Sequence, residues 1–164
     1  RGGGDLWTQA DYGDFTLQAE FQCAEQSNSG IFLRCSDTKE WLHHAIEVQI
    51  QQHDAGENKR HNVGAIFDCK GPSKRVEIKP GAWYRMIVTA RGPRITVELE
   101  DLAEGKSETV NRVNLDEWKE AGKNPDGTPN KFKTAYKDMA RTGKIGLQYH
   151  GTPIAFRNLW IERQ

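Results

Sequence analysis

The sequence has no excess of charge of either sign. Lysine and arginine together number 23, aspartate and glutamate also number 23, and the formal net charge is zero. Nucleic acids and anionic membrane surfaces attract proteins chiefly through clustered positive charge, so this balance favours neither as a partner. The chain also lacks an apolar run of roughly 18 residues, the length that a transmembrane helix needs, and it shows no signal peptide. We therefore expect no nucleic-acid partner and no membrane span.

Cysteine is scarce. The chain contains three, Cys23, Cys35 and Cys69, and no two have the C-x-x-C spacing typical of zinc sites. Cys35 and Cys69 end two similar segments, residues 30–35 and 64–69, so a disulfide between them is conceivable if these segments are neighbouring strands. Small buried thiols are an equally good interpretation, and an exported location would favour the bond.

Alternation of apolar and polar residues, by contrast, is abundant. Residues 46–51 read Ile-Glu-Val-Gln-Ile-Gln, and successive side chains of a strand point to opposite faces, so this segment predicts a strand with one apolar and one polar face. Segments of strand character recur between turn residues: 15–23, 29–35, 44–51, 63–69, 75–78, 83–90, 94–99, 144–150 and 155–161. So many short strands predict one all-β domain over residues 1–164, a sandwich of two antiparallel sheets.

Residues 114–140 break this alternation. Residues 114–121 can form a short helix with Asn114 or Asp116 near its start. Residues 123–129 are rich in turn formers, and residues 131–139 favour one or two further helical turns. Long connections in compact domains are often functional, although a segment that merely covers a sheet edge is an equally good interpretation.

Polar side chains occupy the non-core parity of several predicted strands. If these strands lie in one sheet, seven side chains point from a single surface: Arg34, Glu47, Gln49, Gln51, Asp68, Gln148 and His150. Amides, carboxylates and a guanidinium group match sugar hydroxyls, and a Trp or Tyr at the rim can cover the C–H face of a sugar. The pattern predicts a carbohydrate cleft, whereas each residue taken singly is also typical of a solvated surface or a weak ion pair.

The order of five motifs resembles the 3-keto-disaccharide hydrolase family. The motifs are Ser29-Gly-Ile-Phe-Leu-Arg34, Glu47-Val-Gln-Ile50, Gly64-Ala-Ile-Phe67, residues 143–151 and Phe156-Arg-Asn-Leu-Trp-Ile161. The resemblance covers nearly the whole chain and implies a concanavalin A-like jelly-roll sandwich, here with a short helical insertion near residues 114–140. Family domains usually begin with an additional segment, so we expect this chain to lack the family's first strand. The chain has Tyr149 where the family often has an acidic residue, and its strand parity predicts that this tyrosine faces the core.

The resemblance implies cleavage of glycosides whose glucose ring carries a ketone at carbon 3. The ketone acidifies the hydrogen on carbon 2, and its removal gives an enolate that expels the aglycone from carbon 1, after which water can add back. His150 is then the expected base, since histidine has an unperturbed pKa of about 6.5. Glu47 is the rival base, or the group that orients His150. Arg34 is the expected stabiliser of the enolate.

The remaining members of the predicted surface are expected to hold the substrate. Gln49, Gln51, Gln148 and Asp68 would bind sugar hydroxyls, and Asp54, which follows His53, could bind a sugar or a divalent cation. Oxygen ligands suit Ca²⁺ or Mg²⁺. Because family members are mostly bacterial and often exported, the resemblance also implies a secreted or periplasmic location.

Two other classes of function fit the same residues. Jelly rolls also serve as carbohydrate-binding modules, in which the cleft would bind a glycan without cleaving it. A structural or adhesive domain of a larger extracellular protein is the third interpretation.

Overall fold

The structure, a computed structural model, describes residues 4–53, 56 and 59–164. Nine strands account for most of its regular structure, and helices are short. The strands are β1 (Leu6–Trp7), β2 (Phe15–Cys23), β3 (Asn28–Cys35), β4 (Ile46–Gln51), β5 (Trp83–Arg91), β6 (Arg94–Asp101), β7 (Lys106–Asn114), β8 (Lys144–Leu147) and β9 (Ile154–Arg163). The helix α1 (Trp41–His44) and the 3₁₀ turns Lys59–His61, Leu115–Glu117 and Tyr136–Asp138 complete the regular elements. No helix among the described residues is long and apolar enough to cross a membrane.

The strands form two antiparallel sheets that pack face to face. One sheet has the order β1-β8-β3-β4, and the other has the order β7-β6-β5-β2-β9. The predicted parity supplies the core between them, because Phe15, Leu17 and Phe21 of β2 and Val48 and Ile50 of β4 are all at most 1% exposed. The expectation of an all-β sandwich of two antiparallel sheets is confirmed.

Two predicted strands do not form, and two strands, β1 and β7, were not predicted. Residues 63–69 make a tight turn instead of a strand, because Gly64 and Asp68 adopt positive φ angles of 77° and 57°, which end an extended conformation. The turn still joins the edge of β4: Gln49 N–H donates to Ala65 O at 2.9 Å, and Phe67 N–H donates to Glu47 O at 3.0 Å. Residues 75–78 have no regular structure, whereas β7 forms from residues that alternate poorly in sequence.

The predicted helices of the 114–140 insertion shorten to single 3₁₀ turns. The Asn114 side chain accepts a hydrogen bond from Asp116 N–H at 3.2 Å and begins the first turn as expected. Gly122 and Gly127, both at positive φ, end any longer helix between the two turns. Trp118 and Tyr136 are buried in the main core, so the insertion is anchored to the sandwich.

A bulge in β3 reverses the predicted parity of its last residues. The pairing of β3 with β8 shifts between Phe32 and Cys35, and Arg34 adopts a positive φ of 51°. Its guanidinium donates to Gly13 O at 2.8 Å and Gly92 O at 2.6 Å, and it pairs with an Asp14 carboxylate oxygen at 2.9 Å. Arg34 therefore ties β3 to the ends of the opposite sheet, and its predicted place beside Glu47 is wrong.

The same bulge separates the two cysteines. Cys35 packs in a small cluster with Phe32 on the side of the sheet away from the core, whereas Cys69 lies in the main core. All three cysteines are free thiols. Of the two interpretations that the sequence left open, the structure supports buried thiols rather than a disulfide.

Candidate functional site

The polar side chains of β4 and of the chain just after β8 meet on the outer side of the four-stranded sheet. We call this surface, made by Glu47, Gln49 and Gln148, the polar face. Strand β3 lies between its two halves: Gln49 is opposite Gly30 in the register, and Gln148 N–H donates to Gly30 O at 2.9 Å. The three side chains are 5%, 2% and 6% exposed, so the polar face is largely shielded from water.

Gly30 provides the space in which the Glu47 side chain lies. A Cβ atom on Gly30 would stand 2.5 Å from Glu47 Oε1 and 2.9 Å from Glu47 Cγ, closer than nonbonded atoms approach. The carboxyl group therefore extends over β3 toward Gln148 because residue 30 has no side chain.

We expect Gly30→Ala to lower the free energy of unfolding by about 1–3 kcal/mol, because the added methyl group forces the buried carboxyl group to move. Urea denaturation measures the effect. Gly4→Ala is the matched control, since a Cβ there meets nothing within 4 Å. Equal stability of the two variants would show that Glu47 does not depend on this space.

The electrostatics of Glu47 are unusual for a carboxyl group. Burial raises its pKa to about 8, because the ionised form loses its hydration. A hydrogen bond from the Gln148 side chain opposes this rise, nearby Asp5 adds to it, and Lys131 opposes it. At neutral pH Glu47 is therefore poised between its acid and base forms, which is the range in which a group can transfer protons.

Two amide oxygens beside Glu47 have no hydrogen-bond donor within the described part of the chain. The Gln49 amide nitrogen donates to Asn28 Oδ1 at 2.7 Å and to Ser29 O at 3.0 Å, which fixes the orientation of the amide. Its oxygen, like that of Gln148, is buried and unpartnered. Buried polar atoms are nearly always paired in native structures, so these two oxygens are unusual in having unused capacity to accept hydrogen bonds.

Aromatic rings border the polar face on one side. Phe32, opposite Glu47 in the register, packs between Trp7 at 5.2 Å and Trp41 at 4.6 Å between ring centroids. Both tryptophans are partly exposed. Partly exposed indole rings next to amides and a carboxyl group form a surface typical of sugar binding.

A second cluster borders the polar face on the β4 edge. Phe67 pairs with Glu47 through the backbone, and the His61 ring stacks on it at 4.8 Å between centroids. Lys131 Nζ lies 4.6 Å from the centre of the Phe67 ring. The Asp68 carboxylate accepts a hydrogen bond from Lys131 N–H at 2.9 Å and lies 3.6 Å from His61 Nε2. The 114–140 insertion thus brings a cation to the side of Glu47.

The remaining predicted residues lie at the border of the polar face, at the far end of β4, in the loop after β8 or outside the described chain. Gln51 is at the far end of β4, where its amide nitrogen donates to His53 O at 3.3 Å. Asp68 is on the edge of the sheet, and its carboxylate already binds Lys131 N–H. His150 is exposed in the loop between β8 and β9, and its catalytic role stays a prediction. Tyr149 is 47% exposed rather than buried. Asp54 lies outside the described residues.

Sequence reasoning missed His61 and Lys131. Neither belongs to an alternating strand, so the parity rule gave no information about them. For Lys131 the one available signal was the length of the 114–140 insertion, which the sequence left open as either a functional segment or a cover for a sheet edge, and no signal marked His61.

The described residues contain no group of three or more His, Cys, Asp and Glu side chains arranged to hold a metal ion. The predicted cation ligand Asp54 lies outside this set, so the possibility of a Ca²⁺ or Mg²⁺ ion stays a prediction.

Comparisons with solved structures agree with the fold. A proposed glycosyl hydrolase from Parabacteroides distasonis is 30% identical with a TM-score of 0.88, over 98% of this chain and 83% of that chain. A second from the same bacterium is 19% identical with a TM-score of 0.75, over 98% and 74%. The carbohydrate-binding module CBM66 from Bacillus subtilis shares the fold at 15% identity and a TM-score of 0.55, over 99% and 84%.

Comparison of the sequence with protein families identifies the family to which the chain belongs. No protein with a curated description matches the chain. The sequence profile of the 3-keto-alpha-glucoside-1,2-lyase-like domain, however, matches residues 1–162. Together with the 30% identical structure, this match indicates a carbohydrate-related, glycosyl hydrolase-like protein. The chain belongs to the family of 3-keto-alpha-glucoside-1,2-lyase-like domains.

Proposed function

We propose that this domain cleaves 3-keto-glucosides by elimination, with Glu47 as the base. The ionised Glu47 carboxylate takes the hydrogen from carbon 2 of the sugar, and the electrons of that C–H bond form an enolate whose negative charge rests on the ketone oxygen. The enolate then re-forms the ketone while the bond from carbon 1 to the aglycone oxygen breaks. The products are an unsaturated 3-keto sugar and the free aglycone, and addition of water across the new double bond would complete a net hydrolysis.

The observation that carries this proposal is the burial of the Glu47 carboxyl group among sugar-compatible partners. Burial raises its pKa to about 8, so the ionised form is a stronger base than an exposed carboxylate, as removal of a hydrogen from carbon demands. In this proposal the unpartnered oxygens of Gln49 and Gln148 accept hydrogen bonds from sugar hydroxyls. The family's own description, which refers to 1,2-lyases of 3-keto-alpha-glucosides, supports the same chemistry.

In this proposal Lys131, rather than Arg34, stabilises the enolate. An enolate requires a positive charge near the ketone oxygen, and a fixed charge placed there acts where negative charge develops. Arg34 is bound to two backbone carbonyls and Asp14, whereas the Lys131 ammonium group lies over Phe67 and acts electrostatically on Glu47. In the described part of the chain, Lys131 has no carboxylate partner within ion-pair distance.

The direct test is release of aglycone from 3-keto-glucosides by the wild-type protein, with the parent glucosides that lack the ketone as matched controls. We expect cleavage of the 3-keto compounds alone, because the ketone is what makes the hydrogen on carbon 2 acidic. A parallel reaction with a chelator tests the predicted cation. Binding of either sugar without any cleavage would contradict the proposal and support a carbohydrate-binding module. The expected export of the protein stays a prediction.

A further inference from the structure

His61, at the border of the polar face, has no role in the removal of the carbon-2 hydrogen by Glu47. His61 is held by the Phe67 ring and by Asp68, whose carboxylate oxygen lies 3.6 Å from Nε2. Nε2 is buried without a hydrogen bond, yet 29% of the side chain is exposed. The accessible part of the side chain therefore consists of atoms other than Nε2.

We propose that His61 donates the proton to the departing aglycone oxygen, and that Asp68 holds the imidazole ring for this transfer. This inference rests on the function proposed above. As the bond from carbon 1 to oxygen breaks, its electron pair passes to the oxygen, which takes the proton from Nδ1 of the imidazolium ring and leaves as a neutral alcohol. The proton lost by His61 is replaced from solvent, and Glu47 releases the proton taken from carbon 2.

Elimination from an α-glucoside sets a geometric requirement for the base and the acid. In the chair form of an α-glucoside, the hydrogen on carbon 2 and the oxygen on carbon 1 are both axial and point to opposite faces of the ring. The base and the acid must then stand on either side of the sugar. Phe67 contacts both residues: its N–H donates to Glu47 O at 3.0 Å, and its ring stacks on His61 at 4.8 Å between centroids.

A proton donor at this place also defines the class of substrate. An aglycone that is a poor leaving group, such as a second sugar or an alkyl alcohol, needs protonation as it departs. A nitrophenolate does not need it. The presence of His61 therefore indicates sugar or alkyl aglycones as the substrates to which the site is adapted.

The test compares His61→Gln with the wild type on two substrates, methyl 3-keto-α-glucoside and 4-nitrophenyl 3-keto-α-glucoside. We expect kcat/KM for the methyl compound to fall by about 10²-fold or more, the usual contribution of a general acid, while the rate for the nitrophenyl compound changes little. Asp68→Asn should show the same selectivity with a smaller loss. His44→Gln is the matched control, since the carboxylate on which His44 acts electrostatically is Asp37.

A third measurement distinguishes loss of the proton donor from loss of the folded structure. A 3-keto sugar without an aglycone, 3-keto-1,5-anhydroglucitol, can exchange its carbon-2 hydrogen with deuterated water but has nothing to expel. His61→Gln should exchange it at the wild-type rate, because the Glu47 step is intact. Equal losses on both glucosides, or no loss on either, would overturn the role of His61. If the wild type cleaves neither glucoside, the proposed function fails first and the role of His61 fails with it.

Discussion

Glu47→Gln is expected to abolish aglycone release while leaving the protein folded. The substitution keeps the size and hydrogen-bonding capacity of the side chain and removes only its ability to accept the proton from carbon 2. Loss of a general base lowers rates by about 10²–10⁴-fold, and we expect this loss in the turnover rate for 3-keto-glucosides, with KM nearly unchanged. Glu98→Gln, the same change on β6 of the other sheet, is the control and should retain full activity. Full activity of Glu47→Gln would contradict its role as base.

The same substitution should stabilise the protein at alkaline pH. Burial raises the pKa of Glu47 from 4.5 to about 8, so between these values the folded protein binds more protons than the unfolded chain. The free energy of unfolding therefore falls as pH rises from about 4.5 to 8, by up to roughly 5 kcal/mol for the difference between the two pKa values. Glu47→Gln removes this loss, and urea denaturation at pH 5 and pH 9 should show its advantage over the wild type only at pH 9.

Arg34→Ala is expected to cause the largest loss of stability of any substitution considered for this protein. The Arg34 side chain is fully buried and pairs with Asp14, which is 46% exposed, and it also satisfies the carbonyl oxygens of Gly13 and Gly92. Removal of one partner from a buried charged network lowers the free energy of unfolding by about 3–5 kcal/mol. Urea denaturation at neutral pH measures it.

Two comparisons make the Arg34 result specific. Arg94→Ala removes an exposed arginine at the end of the β5–β6 turn and should change stability by less than about 0.5 kcal/mol. Any Arg34→Ala protein that remains folded should cleave 3-keto-glucosides at the wild-type turnover rate. A selective loss of turnover with unchanged stability would restore the enolate-stabilising role that the sequence pattern assigned to Arg34.

The part of the site that lies on regular strands could be predicted from the sequence. In β4 the alternation is unbroken, so Val48 and Ile50 enter the core while Glu47 and Gln49 share the polar face, as the sequence indicates. Parity fails where the backbone leaves the extended conformation. One positive φ angle at Arg34 exchanges the faces of Arg34 and Cys35, and no local sequence signal such as glycine marks that position.

The border of the site could not be predicted, because it depends on contacts between distant segments. Lys131 reaches Phe67 only because the turns around Trp118 and Tyr136 bury their aromatic rings in the core. His61 stacks on Phe67 only because residues 65–67 join the edge of β4. Alternation reports the two faces of a strand, and it contains no information about which loop will pack against a sheet edge.

The most direct test of the role of Glu47 is exchange of the carbon-2 hydrogen of 3-keto-1,5-anhydroglucitol in deuterated water, followed by NMR, with wild-type protein and Glu47→Gln at equal concentration. We predict rapid incorporation of deuterium at carbon 2 by the wild type, with a rate that rises as Glu47 ionises near pH 8, and incorporation no faster than in buffer by Glu47→Gln. Equal exchange by both proteins would show that another group removes the hydrogen.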